Sequence, residues 1–329
     1  MTGSIVLTGA NGSVGLHAAD RLLKQYPQFT VLFTVRNAAE TDVNTRNLQG
    51  VIKRYPQAKA SIHQVDLANL SSVHEFADKV ATGSYPPLKA IICSAAYWNL
   101  VGDTELTVDG FDKSMQVGHI AHVALVMRLI DRFGSDGGRI VLFSSIGHYR
   151  KPNNITSLLP DLPEDLNKLN HPPIDEDKQG RGFQRYSNGK LMATTWMYPL
   201  NHYLEQNPRF KNITAVAINP GGLGDSRCFT TNTPLSVKLI QTLVLKPFMS
   251  AINWLADPTF RSSADAAVDV VELAVNKAHP GERGYFTLLT RDESDPITMN
   301  EAIQQRVWKK SLEWAKITKD NTALWEAGE

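Results

Sequence analysis

The chain has 329 residues, 42% of them apolar and 22 of them glycine, a composition able to build a sizeable core and unlike that of a disordered chain. Its 34 basic and 33 acidic residues leave a formal net charge of +1, so no overall field would draw it to nucleic acid or to lipid. Two cysteines, Cys93 and Cys228, exclude a disulfide framework and a cysteine-rich zinc site.

Short β-branched runs alternate with helical patterns from the first residues onward. Strands are predicted at 4–7, 30–35, 60–65, 90–94, 139–143 and 213–218, and helices at 14–26, 70–80, 108–133 and 186–205. Such alternation implies right-handed crossovers and a parallel sheet covered on both faces, with ligands at the carboxyl ends of the strands. Three segments break the rhythm. Residues 146–185 hold five prolines and a cluster of acids, and read as an irregular insertion. Residues 225–261 form a second insertion, offering Leu235, Leu239, Leu243, Met249 and Trp254 as a cover for a bulky, mostly apolar substrate. Residues 298–329 read as a C-terminal helical extension carrying Ile303, Val307, Trp308, Leu312 and Trp314. The expected fold is a single α/β domain (1–329), a doubly wound, Rossmann-like parallel sheet with two insertions. The opening MTGSIVLTGANG is not a secretory leader, and the apolar stretch near 235–255 is broken by Lys238, Lys246 and Pro247. A cytoplasmic protein without a stable membrane span is therefore expected.

The first strand runs into Gly9, Ala10, Asn11, Gly12, Ser13, Val14 and Gly15, then into a helix. Glycines there allow a tight turn and let backbone N–H groups approach a pyrophosphate at the helix N-terminus. The second strand ends at Arg36 with no acid nearby. An arginine suits a ribose 2′-phosphate where an acid would suit the 2′-hydroxyl, so NADP(H) is preferred to NAD, with a solvated strand end as the alternative for Arg36. Asp66, before Leu67, either accepts from an adenine amino group or caps the helix that follows.

Tyr186 and Lys190 stand four apart at a helix start, on one helical face. An ammonium beside a phenol favours the phenolate and lowers its pKa, which makes such a pair a proton donor to a developing alkoxide. Ser144 and Ser145 end the fifth strand, where a hydroxyl can meet a substrate carbonyl. With these pieces on view, the sequence resembles the short-chain dehydrogenase/reductase family in TGANGSVG (8–15), VRN (35–37), DL (66–67), RIVLFSS (139–145), YSNGK (186–190) and NPGG (219–222). The long interval before Tyr186 resembles reductases of fungal secondary metabolism and carbonyl-reductase-like and retinol-dehydrogenase-like members.

The resemblance implies hydride transfer at a nicotinamide, Ser145 orienting the carbonyl, Tyr186 as acid/base and Lys190 holding the nicotinamide ribose. It places Ser94 and Ala95 beside the cofactor and Pro220 and Gly221 along the nicotinamide side. In place of the family's usual residues stand Ser13, Ser94 and Gly118. The last replaces a helical asparagine of a proton relay, whose part falls to His119, Ser114 or water, or is weakened. The H-x-x-H of His119 and His122 lacks a third ligand, so no metal is expected. The insertion suggests a monomer, and His148 or Tyr149 is a candidate substrate contact. The function implied is ketone or aldehyde reduction or its reverse. The alternative is a dinucleotide-binding scaffold that catalyses a non-redox step or serves as a regulatory module.

Overall fold

The computed structural model describes residues 2–152, 157–173 and 176–325, so parts of the predicted segments 146–185 and 298–329 lie outside the described residues. The chain first alternates β1 (Gly3–Thr8), α1 (Ser13–Gln25), β2 (Phe29–Val35), α2 (Val43–Lys53), β3 (Lys59–Gln64), α3 (Leu70–Thr82) and β4 (Leu88–Cys93). A broken helix follows, made of α4 (Lys113–Met115), a π-helical turn (Gln116–Ile120) and α5 (Ala121–Leu129). It leads to β5 (Gly138–Phe143), the long α6 (Lys178–Gln206) and β6 (Ile213–Asn219). The remainder is α7 (Leu235–Ile240), α8 (Met249–Leu255), α9 (Ser263–Ala274), β7 (Gly284–Thr287), β8 (Thr290–Arg291) and α10 (Glu301–Trp314).

All eight strands join one sheet in the order β3-β2-β1-β4-β5-β6-β7-β8, parallel except for the β7–β8 pair. Alternation along β1 shows why both faces are covered. Ile5 and Leu7 pack into the layer of α1, α2 and α9, while Val6 packs into the layer of α3, α5, α6 and α10. All three side chains are fully buried, each contributing roughly 1.5–3 kcal/mol by leaving water. The strand order reverses between β1 and β4, the place where such sheets open a crevice at their carboxyl edge.

The structure corrects several predicted boundaries. The helix expected over 108–133 starts at Lys113, where Asp112 accepts from the Met115 N–H at 2.9 Å, and turns π-helical around Gly118. A glycine mid-helix costs about 1 kcal/mol against alanine, and it marks the irregularity. Helix α6 begins at Lys178 instead of Tyr186, capped by Asp177, so the end of the predicted insertion is helical. Within the extension, Trp308 of α10 stacks on Trp196 of α6 at 5.6 Å with both rings buried.

Candidate active site

Every residue predicted for the cofactor lies at the carboxyl edge of the sheet. Gly9, Asn11, Gly12, Ser13, Val14 and Gly15 form the β1–α1 turn, and Arg36 follows β2. Asp66 and Leu67 follow β3, Ser94 and Ala95 follow β4, and Pro220 and Gly221 follow β6. At its three glycines the turn has no room for a side chain. Gly9 has φ +64°, and a Cβ on Gly15 would stand 2.3 Å from the Gly9 carbonyl oxygen. No side chain caps the N-terminus of α1, so its first amides remain available to an anion. These features fit a dinucleotide pyrophosphate.

Around the cradle, Ser94 stands where the family has asparagine, and its hydroxyl donates to the Thr8 carbonyl at 2.6 Å, which ties β4 to the turn. Arg36 is exposed and forms no ion pair with a described residue, so its guanidinium is available to a ligand. For Asp66 the structure separates the two readings. Asn69 caps α3, while the Asp66 carboxylate accepts only a local bond from the Ala68 N–H at 3.0 Å.

Ser145 lies beside Tyr186, and its Oγ accepts from the Gly147 N–H at 3.2 Å. Lys190, one helical turn on, places its Nζ 5.4 Å from the Tyr186 ring centre and donates to the Phe143 carbonyl at 2.7 Å. Ser144 turns the other way, to Thr194 at 2.7 Å. Burial pushes the Tyr186 phenol up to about 12, with the neighbouring Ser145 hydroxyl opposing it, and burial pushes Lys190 down to about 8. This reverses the expected lowering of the phenol by Lys190. In so dry a site the cost of charging either group exceeds their mutual help.

The relay position is open. A Cβ on Gly118 would meet nothing within 4 Å, and a cavity of about 10 Å³ lies there among Cys93, Gly118, His122, Phe143 and Ala193. That is about the room of one water. His119 also borders the cavity, with its Nε2 bonded to Ser311 of α10 at 2.7 Å, and His122 is bonded to Thr8 at 2.9 Å. Burial drives both imidazoles down to about 3, so they are neutral. The two histidines therefore serve α10 and β1 separately.

Two further expectations are corrected. His148 is fully buried, takes the Asp295 N–H on Nε2 at 3.1 Å, and so donates from Nδ1 to the Ser145 carbonyl at 2.7 Å. Tyr149 donates to the Glu293 carbonyl. Both fasten the segment after β5 to the loop before α10. The apolar residues expected to line a pocket mostly face outward: Leu235, Leu239, Leu243 and Trp254 are exposed, and only Met249 reaches inward, to the Gly224 backbone.

What covers Tyr186 is different. Trp98, from the loop after β4, packs edge-on against Tyr186 at 5.7 Å and against Phe229 at 5.7 Å, and donates to the Cys228 carbonyl at 2.8 Å. Arg227, next along the chain, lies over the glycine turn. Its backbone N–H donates to Ser13 Oγ at 3.0 Å, and its guanidinium reaches the Asn11 carbonyl at 2.6 Å and the Asn44 side chain. The sequence reading missed Trp98, Arg227, Cys228 and Phe229. Their only signal was position, just after β4 and just after the Pro-Gly that ends β6.

A Gly-rich cradle at the switch point, with a Ser–Tyr–Lys cluster at the next strand end, defines a dinucleotide-dependent oxidoreductase. Residues 4–156 match the family model of the short chain dehydrogenases, and residues 227–324 match that of the AcuH dehydrogenase domain. The chain belongs to the short-chain dehydrogenase/reductase superfamily. It is 25% identical to the short-chain dehydrogenase iccH of Talaromyces variabilis, over 98% of this chain and 99% of that one. It is 40% identical to the dehydrogenase acuH of Aspergillus aculeatus over 29% of this chain and 96% of that protein. The solved actinorhodin polyketide ketoreductase with NADPH superposes with a TM-score of 0.58 at 14% identity, over 87% of this chain and 96% of that one, a likeness of fold.

Proposed function

We propose that the chain uses NADP(H) to reduce a ketone or aldehyde of a bulky, mostly apolar compound to an alcohol, or runs the reverse oxidation. The observation that carries this reading is the grouping of Ser145, Tyr186 and Lys190, with Lys190 Nζ 5.4 Å from the Tyr186 ring centre and fixed on the Phe143 carbonyl. When bound, the dinucleotide supplies or accepts the hydride. The chain's own residues manage the oxygen. Ser145 holds the carbonyl oxygen, and Tyr186, whose high pKa keeps it protonated, gives its proton as alkoxide forms. Lys190 sits in position to hold the nicotinamide ribose, and its charge offsets negative charge left on the phenol. Trp98, backed by Phe229, covers one side of the Tyr186 ring.

Arg36, unpaired at the end of a strand without an acid, supports a 2′-phosphate and hence NADP(H). The NADPH that accompanies the polyketide ketoreductase of like fold is in keeping with that choice. The aromatic wall of Trp98, Phe183 and Phe229 supports an apolar substrate. Packing of α10 over α6 supports a monomer. A non-redox scaffold is the second reading, favoured by Gly118 in place of the relay asparagine.

The test is NADPH consumption against aryl, polycyclic and aliphatic ketones, beside Tyr186→Phe. Turnover falls at least about a hundredfold in the variant while NADPH binding persists. Tight NADPH binding with no consumption of any ketone, or of NADP by any alcohol, gives the second reading precedence.

A further inference from the structure

Helices α7 and α8, with the turn between them, are amphipathic in the inverted sense for helices docked on a protein. Two amide side chains face the body, while Ser236, Thr242 and Ser250 are exposed. Gln241, fully buried, donates to the Gly224 and Ser226 carbonyls at 3.1 and 2.7 Å, and Asn253 donates to the Pro258 and Phe260 carbonyls at 2.9 Å each. Val237, Leu245, Met249 and Ile252 are half-buried, but the larger share of the apolar surface faces water. Leu235, Leu239, Leu243, Phe248, Trp254 and Leu255 are 70%, 50%, 64%, 57%, 82% and 71% exposed. Exposed apolar surface concentrated in this way marks an interaction site.

Charge selects the partner. From 226 to 256 the chain has no Asp or Glu, yet it holds Arg227, Lys238 and Lys246, in a protein that as a whole carries 34 bases and 33 acids. A second copy docked on this face would bring cations against cations with no acid to pair them, and lysine is disfavoured in protein interface cores. An anionic lipid surface complements both features, the apolar face and the cations around it. Taken together, Leu235–Leu245 and Met249–Leu255 are apolar enough to span, but they are bent by 83°, which suits lying on a bilayer.

We infer that the α7–α8 hairpin is an interfacial membrane-docking surface, with its Leu, Phe and Trp side chains at the headgroup–acyl boundary and Lys238 and Lys246 on lipid phosphates. The inference stands without the carbonyl-reduction reading. It places the bilayer next to the site, because Gln241 holds the Ser226 carbonyl at the start of the segment that covers Tyr186.

The experiment is co-sedimentation of the full chain with phosphatidylcholine vesicles, with and without phosphatidylglycerol, followed also by tryptophan emission. The chain pellets with the anionic vesicles and its emission shifts to the blue, a shift missing in Trp254→Phe. Lys238→Gln and Lys246→Gln each lower partitioning roughly fivefold, the value of one basic residue at such a surface. Leu243→Ser with Trp254→Ser removes binding while thermal melting is unchanged. Wild type left in the supernatant with both vesicles overturns the inference. So does equal binding to neutral and anionic vesicles. A dimer in sedimentation equilibrium that the Leu243→Ser, Trp254→Ser pair dissolves would assign the face to a second copy and overturn it as well.

Discussion

Replacing Lys190 by methionine should make the protein more stable at pH 7 and inactive. The ammonium is buried, with 3% of its residue surface exposed, and burial lowers its pKa from 10.5 to about 8. At about 1.4 kcal/mol per unit, keeping that charge in the folded chain costs on the order of 3 kcal/mol at neutral pH. Methionine fills nearly the same volume without charge and removes this cost. It also leaves the Phe143 carbonyl without the 2.7 Å bond, a loss of about 1–2 kcal/mol. The net gain is about 1–2 kcal/mol, or a few degrees in Tm for a chain of this size.

The pH dependence provides the sharper check. A base whose folded pKa is depressed binds fewer protons folded than unfolded between about 8 and 10.5. Wild-type stability therefore rises through that window relative to the variant, which lacks the group. The advantage of Lys190→Met, measured by urea unfolding, is full below pH 8, shrinks above it, and reverses toward pH 10.5 as only the missing hydrogen bond remains. A variant less stable than wild type at pH 7, or a difference that does not change with pH, would refute the argument that desolvation dominates at Lys190.

Three other substitutions separate roles within the site. Arg36→Ala should weaken NADPH by about 10–100-fold and NADH little, by calorimetry; equal losses would remove its phosphate role. Arg227→Ala, which frees the glycine turn of its contacts to Asn11 and Ser13, should weaken both dinucleotides about equally, because what it lies beside is the pyrophosphate cradle. Gly118→Ala should be accepted, since nothing lies within 4 Å of the added Cβ, and should gain about 0.5–1 kcal/mol in thermal melts from the lost flexibility of glycine; a clear loss would show that the position is not free.

Much of the fold was legible in the residues because a strand buried on both faces is a continuous apolar run. β1, β2, β4, β5 and β6 are largely such runs, whereas β3 (KASIHQ) is mostly half-buried, and each predicted strand overlaps an observed one. The cofactor turn and the Tyr186–Lys190 pair were legible because their chemistry needs fixed local spacing. Other elements carried weaker patterns. Helix α2 buries only Thr45, Leu48 and Val51, and β7 and β8 have 4 and 2 residues, too few for a period to register. Gly118 was visible as a departure, but its π turn and cavity depend on what α6 and β5 place around it. The orientation of α7 and α8 was misread for a definite reason. Periodicity reveals that a helix has an apolar face, and two amides, Gln241 and Asn253, determine that this face points outward.

The same segment links the two halves of the site. Arg227 touches the dinucleotide turn, while the next two residues reach Trp98, which packs on Tyr186. Three consecutive residues thus span from the phosphate cradle to the acid/base. A dinucleotide entering the cradle must compete for the Arg227 guanidinium with the Asn11 carbonyl and the Asn44 side chain, and a displaced Arg227 pulls on Cys228 and Phe229. Burial, which sets the pKa values of both Tyr186 and Lys190, depends in part on that same cover. This arrangement predicts that cofactor occupancy and proton affinity at Tyr186 are coupled through residues 227–229. Substitutions at Arg227 should then shift the pH profile of turnover as well as dinucleotide affinity, whereas those at Arg36, which touches no part of the cover, should change affinity alone.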